Sequence, residues 1–167
     1  MEPMALGVLQ MLSEPIKILM VCMGNICRSP TLMAALKNRI ATHGSSRPFL
    51  IDSAALTTYY LGQSTDARMR AAAHRHGIEV DHVARLFDIA DFDRFDYIFA
   101  VDLEVLRLLE EMARSHVDKE KLHFACDYSE KFPGQEIPDP YYQGQDAFDL
   151  VVEMCLDAAK GIYTQLN

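Results

Sequence analysis

Ile16-Lys17-Ile18-Leu19-Met20-Val21 is apolar at every position but one, and it runs straight into Cys22-Met23-Gly24-Asn25-Ile26-Cys27-Arg28-Ser29-Pro30. A near-continuous apolar run of this length is the pattern of a strand buried on both faces, as in parallel sheets. Gly24 and Asn25 then break the run, and Pro30 suits the first turn of a helix. The helix is expected to reach Thr42, with Leu32, Leu36 and Ile40 on one face and His43-Gly44 ending it. Strand, tight loop and helix N-terminus together build anion sites, because free backbone N–H groups and the helix dipole point the same way.

The rest of the chain alternates in the same manner. Phe49 to Ala54 and Phe95 to Val101 read as strands, and Leu122 to Ala125 as a short fourth one. A helix is expected from Thr65 or Asp66 to His76, stopped by Gly77; Leu103 to Met112 reads as another. Tyr128 to Gly144 holds three prolines and two glycines and reads as a long structured loop. Ala147 to Leu166 closes the chain, with Phe148, Val152, Cys155, Ala159 and Ile162 on one stripe. Repeated strand–helix units imply a parallel sheet between helices, with ligands beyond the carboxyl ends of the strands, where Cys22 lies.

Cys22 and Arg28 stand in a C-x5-R pattern. Within one loop these residue types form a device for a tetrahedral oxyanion. Successive N–H groups wrap it, the Arg28 fork takes two equatorial oxygens, and the Cys22 sulfur lies beneath the central atom, its thiolate favoured by the same field. The pattern alone also fits a buried cysteine beside a surface arginine. The strand before it and the helix after it favour the oxyanion site.

The run Cys-Met-Gly-Asn-Ile-Cys-Arg-Ser-Pro resembles the signature C-x-G-N-I-C-R-S-P of the low-molecular-weight protein tyrosine phosphatases. The resemblance continues in Asp52-Ser53-Ala54, Asp66-Ala67-Arg68, His76-Gly77-Ile78, Phe95-Asp96-Tyr97-Ile98, Asp102 and Asp139-Pro140-Tyr141-Tyr142. It implies a single-domain three-layer α/β/α sandwich over 16–167, with a four-stranded parallel sheet and a phosphate-binding loop after the first strand. Residues 1–15 are then an N-terminal extension, apolar enough to pack on the body or on a second copy.

The resemblance also implies a two-step phosphoryl transfer. Cys22 attacks phosphorus, Arg28 and the loop Met23, Gly24, Asn25, Ile26 and Cys27 hold the phosphoryl oxygens, and Asp139 protonates the leaving oxygen. Ser29, Asn25, His76 and Asp102 support the loop, with His76 tied to Asn25. Tyr59, Tyr60, Tyr141 and Tyr142 wall the cleft, Tyr59 standing where Trp is usual. No cofactor and no metal are called for. Cys27 is implied as a resolving partner for Cys22. Plainer readings stand beside these: Asp139 as a turn residue before proline, His76 as a helix end, Asp102 as a helix N-cap, Cys27 as a small packing residue. A phosphotyrosine protein or a small aryl phosphate is the implied substrate. The alternatives are an arsenate reductase of the same fold and a non-catalytic phosphotyrosine-binding protein. The first needs further cysteines near the acid loop, which are missing between Asp127 and Met154; the second would dispense with Cys22, Arg28 or Asp139.

Besides residues 1–15, the chain departs from the family in three places, one of them Ala55, which stands where many members have Gly. Thr31-Leu32-Met33-Ala34 replaces a partly charged stretch with an apolar one, either as extra core or as a surface for a partner. Gln143 stands at a glycine position after Tyr142 and bears on how the acid loop folds. Twenty-four acidic against 16 basic residues give a net charge of −8, which argues against nucleic acid as a partner. No run is long enough for a membrane span and no basic signal sequence is read, so a cytoplasmic protein is expected, as a monomer or weak homodimer.

Overall fold

A computed structural model of the chain describes residues 14–167. Apart from Glu14 and Pro15, the expected N-terminal extension lies outside them. Four strands form one parallel sheet: β1 (Ile16–Cys22), β2 (Phe49–Ala55), β3 (Tyr97–Ala100) and β4 (Leu122–Phe124), in the order β2-β1-β3-β4. β1 pairs along its whole length with β2, from Ile16 opposite Phe49 to Cys22 opposite Ala55. On its other side Ile18 to Val21 pair with Tyr97 to Ala100. The chain leaves β1 toward β2 and later returns to its far side, so strand order reverses at β1. Crevices form at such a reversal, beyond the carboxyl ends of the strands. Cys22 is the last residue of β1, which puts its side chain there.

Helix α1 (Arg28–His43) packs on β1 and β2 and lies against the long closing helix α6 (Gln145–Leu166), which also meets α2 (Ala67–Arg75). α4 (Leu103–Met112) and α5 (His116–Glu120) pack on β3 and β4 and form the other layer, with the single turn α3 (Asp91–Arg94) preceding β3. The fold is therefore the expected three-layer α/β/α sandwich. Ile18, Leu19, Met20 and Val21 are fully buried, which explains why β1 shows no polar alternation. α1 ends as read, at His43, with Gly44 at φ 78° accepting the left-handed turn.

The apolar stretch Thr31-Leu32-Met33-Ala34 is buried throughout, so it is core and not a surface for a partner. The stripe Phe148, Val152, Cys155, Ala159 and Ile162 is likewise buried. α6 approaches the chain after β4 so closely that a methyl group on Gly161 would fall 1.6 Å from the Tyr128 carbonyl oxygen. Only glycine fits there, because the obstacle is backbone. Sequence reading missed α3, α5 and the 3-10 turn Ala125–Tyr128. Elements of four or five residues span too little of a period to leave a pattern. β3 is shorter than expected because Phe95 closes α3, its N–H bonding the Asp91 carbonyl.

Candidate active site

The site is assembled on the five residues Met23–Cys27 between β1 and α1. The Cys22 Sγ receives the Asn25 backbone N–H at 3.1 Å and lies 2.9 Å from the Ser29 Oγ. Ser29 Oγ accepts from the Asn25 amide at 2.8 Å, which leaves its own O–H to donate to the sulfur. Two donors thus converge on Cys22. Among the described residues no side chain caps α1, and its first turn carries no acidic residue. The helix therefore presents its N-terminal field to the loop.

Asn25 is the tie that fixes the loop. It is fully buried and holds φ 58°, a left-handed conformation that asparagine tolerates better than most residues. Its amide nitrogen donates to Ser29 Oγ and to Ser53 Oγ, at 2.8 and 2.9 Å. Its amide oxygen lies 2.9 Å from His82 Nε2 and accepts the Arg85 backbone N–H at 3.1 Å. Both amide protons and both lone pairs are satisfied, so this side chain leaves nothing unpaired.

The histidine in this network is a correction to the expectation. His76 ends α2, and its Nε2 lies 3.3 Å from the Asp149 carboxylate on α6, which Arg75 also contacts. Gly77, at φ 84°, turns the chain back, and His82 comes to Asn25 instead. The signal was present in the sequence: Ile78, Val80 and Ala84 are all buried, and His82 falls between them on the same period of two, on the inward side of an extended segment. That segment bridges the end of β2 through Ala55–Leu86 and the loop before α2 through Ser64–Val83. Burial lowers the His82 pKa below the ordinary 6.5, against the pull of Asp52 and with Lys37 and Arg85 adding to the decrease. Ser53 and Arg85 were also missed. Arg85 joins Asp52 to the fully buried Asp91, at 2.8 and 3.0 Å.

Arg28 is buried, its Nη1 donating to Asp102 Oδ2 at 2.5 Å and to the Ile137 carbonyl at 3.1 Å. Burial opposes its charge, but the Cys22 sulfur and the Asp102 carboxylate outweigh that and raise its pKa above the ordinary arginine value. Asp102 also accepts the Val105 N–H at 2.8 Å, so it caps α4 as well as holding Arg28. Cys27 lies at the N-cap position of α1, buried, and burial followed by the Asp66 charge pushes its thiol well up. Cys22 and Cys27 are both free thiols here.

A cavity of about 220 Å³ opens above the sulfur, lined by Cys22 through Arg28, Thr57, Tyr59, Tyr60, Asp139, Tyr141 and Tyr142. It is smaller than a drug-sized pocket of about 300 Å³ or more. The Tyr60 ring lies against Gly24 and 5.5 Å from Tyr141, whose ring meets Tyr142 edge-on at 4.9 Å. Tyr59 and Tyr142 are mostly exposed and form the rim. Asp139 is exposed, with Oδ1 accepting the Tyr141 N–H at 3.1 Å. Gln143 closes a turn onto the Pro140 carbonyl at 2.9 Å, and Gly144 behind it takes the N-cap position of α6. Among the described residues no group of three His, Cys, Asp or Glu side chains is placed to hold a metal ion.

The profile of the family described as "Low molecular weight phosphotyrosine protein phosphatase" matches residues 17–167. The chain belongs to the low-molecular-weight protein tyrosine phosphatase family. A Synechocystis chain provisionally named a low-molecular-weight protein-tyrosine-phosphatase is 39% identical over 153 residues, 90% of this chain and 96% of that one. The crystal structure of a protein tyrosine phosphatase from Entamoeba histolytica superposes with a TM-score of 0.86 at 36% identity, covering 90% of this chain and 96% of that one. A Drosophila arginine phosphatase superposes with a TM-score of 0.81 at 30% identity, covering 90% and 97%. Solved structures similar to this chain thus carry more than one named substrate class. Among the described residues no helix is long and apolar enough to cross a membrane.

Proposed function

We propose that this phosphatase hydrolyses phosphotyrosine or a related aryl phosphate monoester through a cysteinyl-phosphate intermediate on Cys22. The observation that carries the reading is the meeting of Cys22, Arg28 and Asp139 in one small cavity, with two donors on the sulfur. In the first step the Cys22 sulfur attacks phosphorus in line, and the bond from phosphorus to the aryl oxygen breaks. Asp139 gives its proton to that oxygen as it leaves. Arg28, fixed by Asp102, and the loop at the α1 N-terminus meet the charge on the equatorial oxygens. In the second step water attacks phosphorus, its proton passes to Asp139 and the sulfur–phosphorus bond breaks. Ser29 then donates to the departing thiolate. Asn25 and His82 keep the loop in shape.

The aryl preference rests on the walls. Tyr60 and Tyr141 bound the cavity with flat faces, and a ring between them has aromatic partners. The Drosophila neighbour favours a second reading, in which the phosphoryl group leaves a guanidinium nitrogen.

The test is hydrolysis of an aryl phosphate and of phosphoarginine with EDTA present, for wild type, Cys22→Ser and Asp139→Asn. Turnover of the aryl ester that vanishes in Cys22→Ser and falls by roughly a hundredfold in Asp139→Asn is expected, a general acid being worth about that or more. Faster turnover of phosphoarginine overturns the aryl reading. A wild type that binds phosphate without turning over either compound overturns the catalytic one.

A further inference from the structure

Arg68, on the first turn of α2, touches both loops of the site. Its Nε and Nη2 form a two-pronged pair with the Asp66 carboxylate, at 3.1 and 2.8 Å. Its Nη1 donates to the Tyr141 carbonyl at 3.0 Å. The guanidinium lies 5.1 Å from the centre of the Tyr141 ring and 4.7 Å from that of Phe148, a buried residue of α6. Asp66 is anchored in turn. Its backbone N–H donates to the Ile26 carbonyl at 2.9 Å, and its side chain caps α2 through the Arg68 N–H.

An unbroken chain of contacts therefore runs from the phosphate loop to the acid loop. Ile26 holds Asp66, Asp66 holds Arg68, and Arg68 holds Tyr141, whose own N–H holds the Asp139 carboxylate. Along 138–143, among the described residues, the bond from Arg68 is the sole hydrogen bond that the backbone receives from another element. The loop's remaining bonds are internal: Tyr141 N–H to Asp139 and Gln143 N–H to Pro140. Two prolines limit how the segment bends, but they do not place it over Cys22. A rigid fork with one side on a fixed carboxylate and the other on the loop carbonyl does.

We propose that Arg68 is the positioning residue of the acid loop, setting where the Asp139 proton is delivered; this rests on the reading of Asp139 as the acid. Arg68 itself is not among the residues that line the cavity. Its loss is felt where proton delivery limits the rate and nowhere else.

The test compares two substrates. Phenyl phosphate releases a basic phenolate that needs the proton, whereas 2,4-dinitrophenyl phosphate releases a stable anion that does not. In Arg68→Ala, kcat/KM on phenyl phosphate should fall by roughly tenfold or more, as expected of a misplaced catalytic group, and on the dinitrophenyl ester by less than about threefold. Inhibition by inorganic phosphate should be unchanged, which also reports an intact loop and fold. Arg68→Lys keeps the charge but cannot hold both partners, so it should recover only part of the loss. Asp139→Asn is the reference and should show the same selectivity at larger amplitude. Equal losses on both esters, weaker phosphate inhibition, or no loss in Arg68→Ala overturns the proposal. If Asp139→Asn lacks the selectivity, the reading of Asp139 fails, and the role given to Arg68 fails with it.

Discussion

Asp102 holds Arg28 with one carboxylate oxygen, Oδ2 to Nη1 at 2.5 Å, and caps α4 with the other, which accepts the Val105 N–H at 2.8 Å. The two readings of Asp102 left open by the sequence are therefore both present, one on each oxygen. The consequence is mechanical. Arg28 is set at the head of α1 and Asp102 at the head of α4, so the pair joins the two helical layers across the carboxyl end of the sheet. A guanidinium held from behind in this way keeps its fork in one orientation before any ligand arrives.

Two substitutions separate these roles. Asparagine caps a helix about as well as aspartate, and alanine does not, so Asp102→Ala should unfold about 1 kcal/mol more easily than Asp102→Asn. Both lose the charged anchor on Arg28, and both should bind inorganic phosphate more weakly than wild type. Chemical denaturation and phosphate inhibition, measured on the same samples, check this. Phosphate affinity equal to wild type in both variants would reduce Asp102 to a cap.

A pH effect follows from His82. Burial keeps its pKa below 6.5 in the folded chain, so between that ordinary value and the lowered one the unfolded chain binds more protons than the folded chain. Stability from this group is complete above about 6.5 and is lost as pH falls toward the folded value. His123, also lowered by burial, adds a slope of the same sign. His82→Gln keeps a donor for Asn25 without titrating. Its unfolding midpoint should depend less on pH through this window than that of wild type, though not become flat. An unchanged slope would remove His82 as a source.

The two close cysteines should behave oppositely. Burial, then the Asp66 charge, pushes the Cys27 thiol far up, so it stays protonated and unreactive at neutral pH. Cys27→Ser should retain most turnover, whereas Cys22→Ser should abolish it. Mass spectrometry after brief iodoacetamide treatment of the native protein should place the label on Cys22, and inorganic phosphate should slow it. Labelling of Cys27 first would contradict this assignment.

What was legible in the sequence had a local cause. The apolar run into Cys22, the Gly24-Asn25 break and Pro30 mark β1, the loop and α1, because each acts within a few residues. Arg28 and Cys22 share that segment, and the motif marks Asp139. The second ring of residues was less visible. Ser53 reaches Asn25 from β2, the strand paired with β1, and no spacing along the chain reports that pairing. His82 was hidden by a nearer candidate: His76 sits beside a glycine that looks like a helix stop, and it is one, but its ring faces Asp149 on α6. Arg85 joins two acidic groups that lie 39 positions apart, Asp52 and Asp91, which only the fold brings together.

Asn25 offers the sharpest measure of what holds the loop, because its backbone and its side chain can be removed one at a time. Asn25→Gly keeps access to φ 58° and deletes the amide. Ser29, Ser53, His82 and the Arg85 N–H then each lose a partner in a buried place. An unsatisfied buried group costs about 1–3 kcal/mol, and water entering the vacated volume offsets part of it, so a net loss on the order of 3 kcal/mol is expected. Asn25→Ala deletes the same amide and adds the strain of a left-handed alanine, a further loss of about 1 kcal/mol. The ranking wild type, Asn25→Gly, Asn25→Ala in unfolding free energy is therefore fixed by the geometry. Activity should follow a different pattern. Both variants free Ser29 from its amide donor and loosen the N–H that Asn25 gives to Cys22, so both should lose turnover to a similar extent even where their stabilities differ. Equal stabilities of the two variants would show that the left-handed turn carries no strain. Turnover near wild type in either would show that the sulfur does not depend on this network.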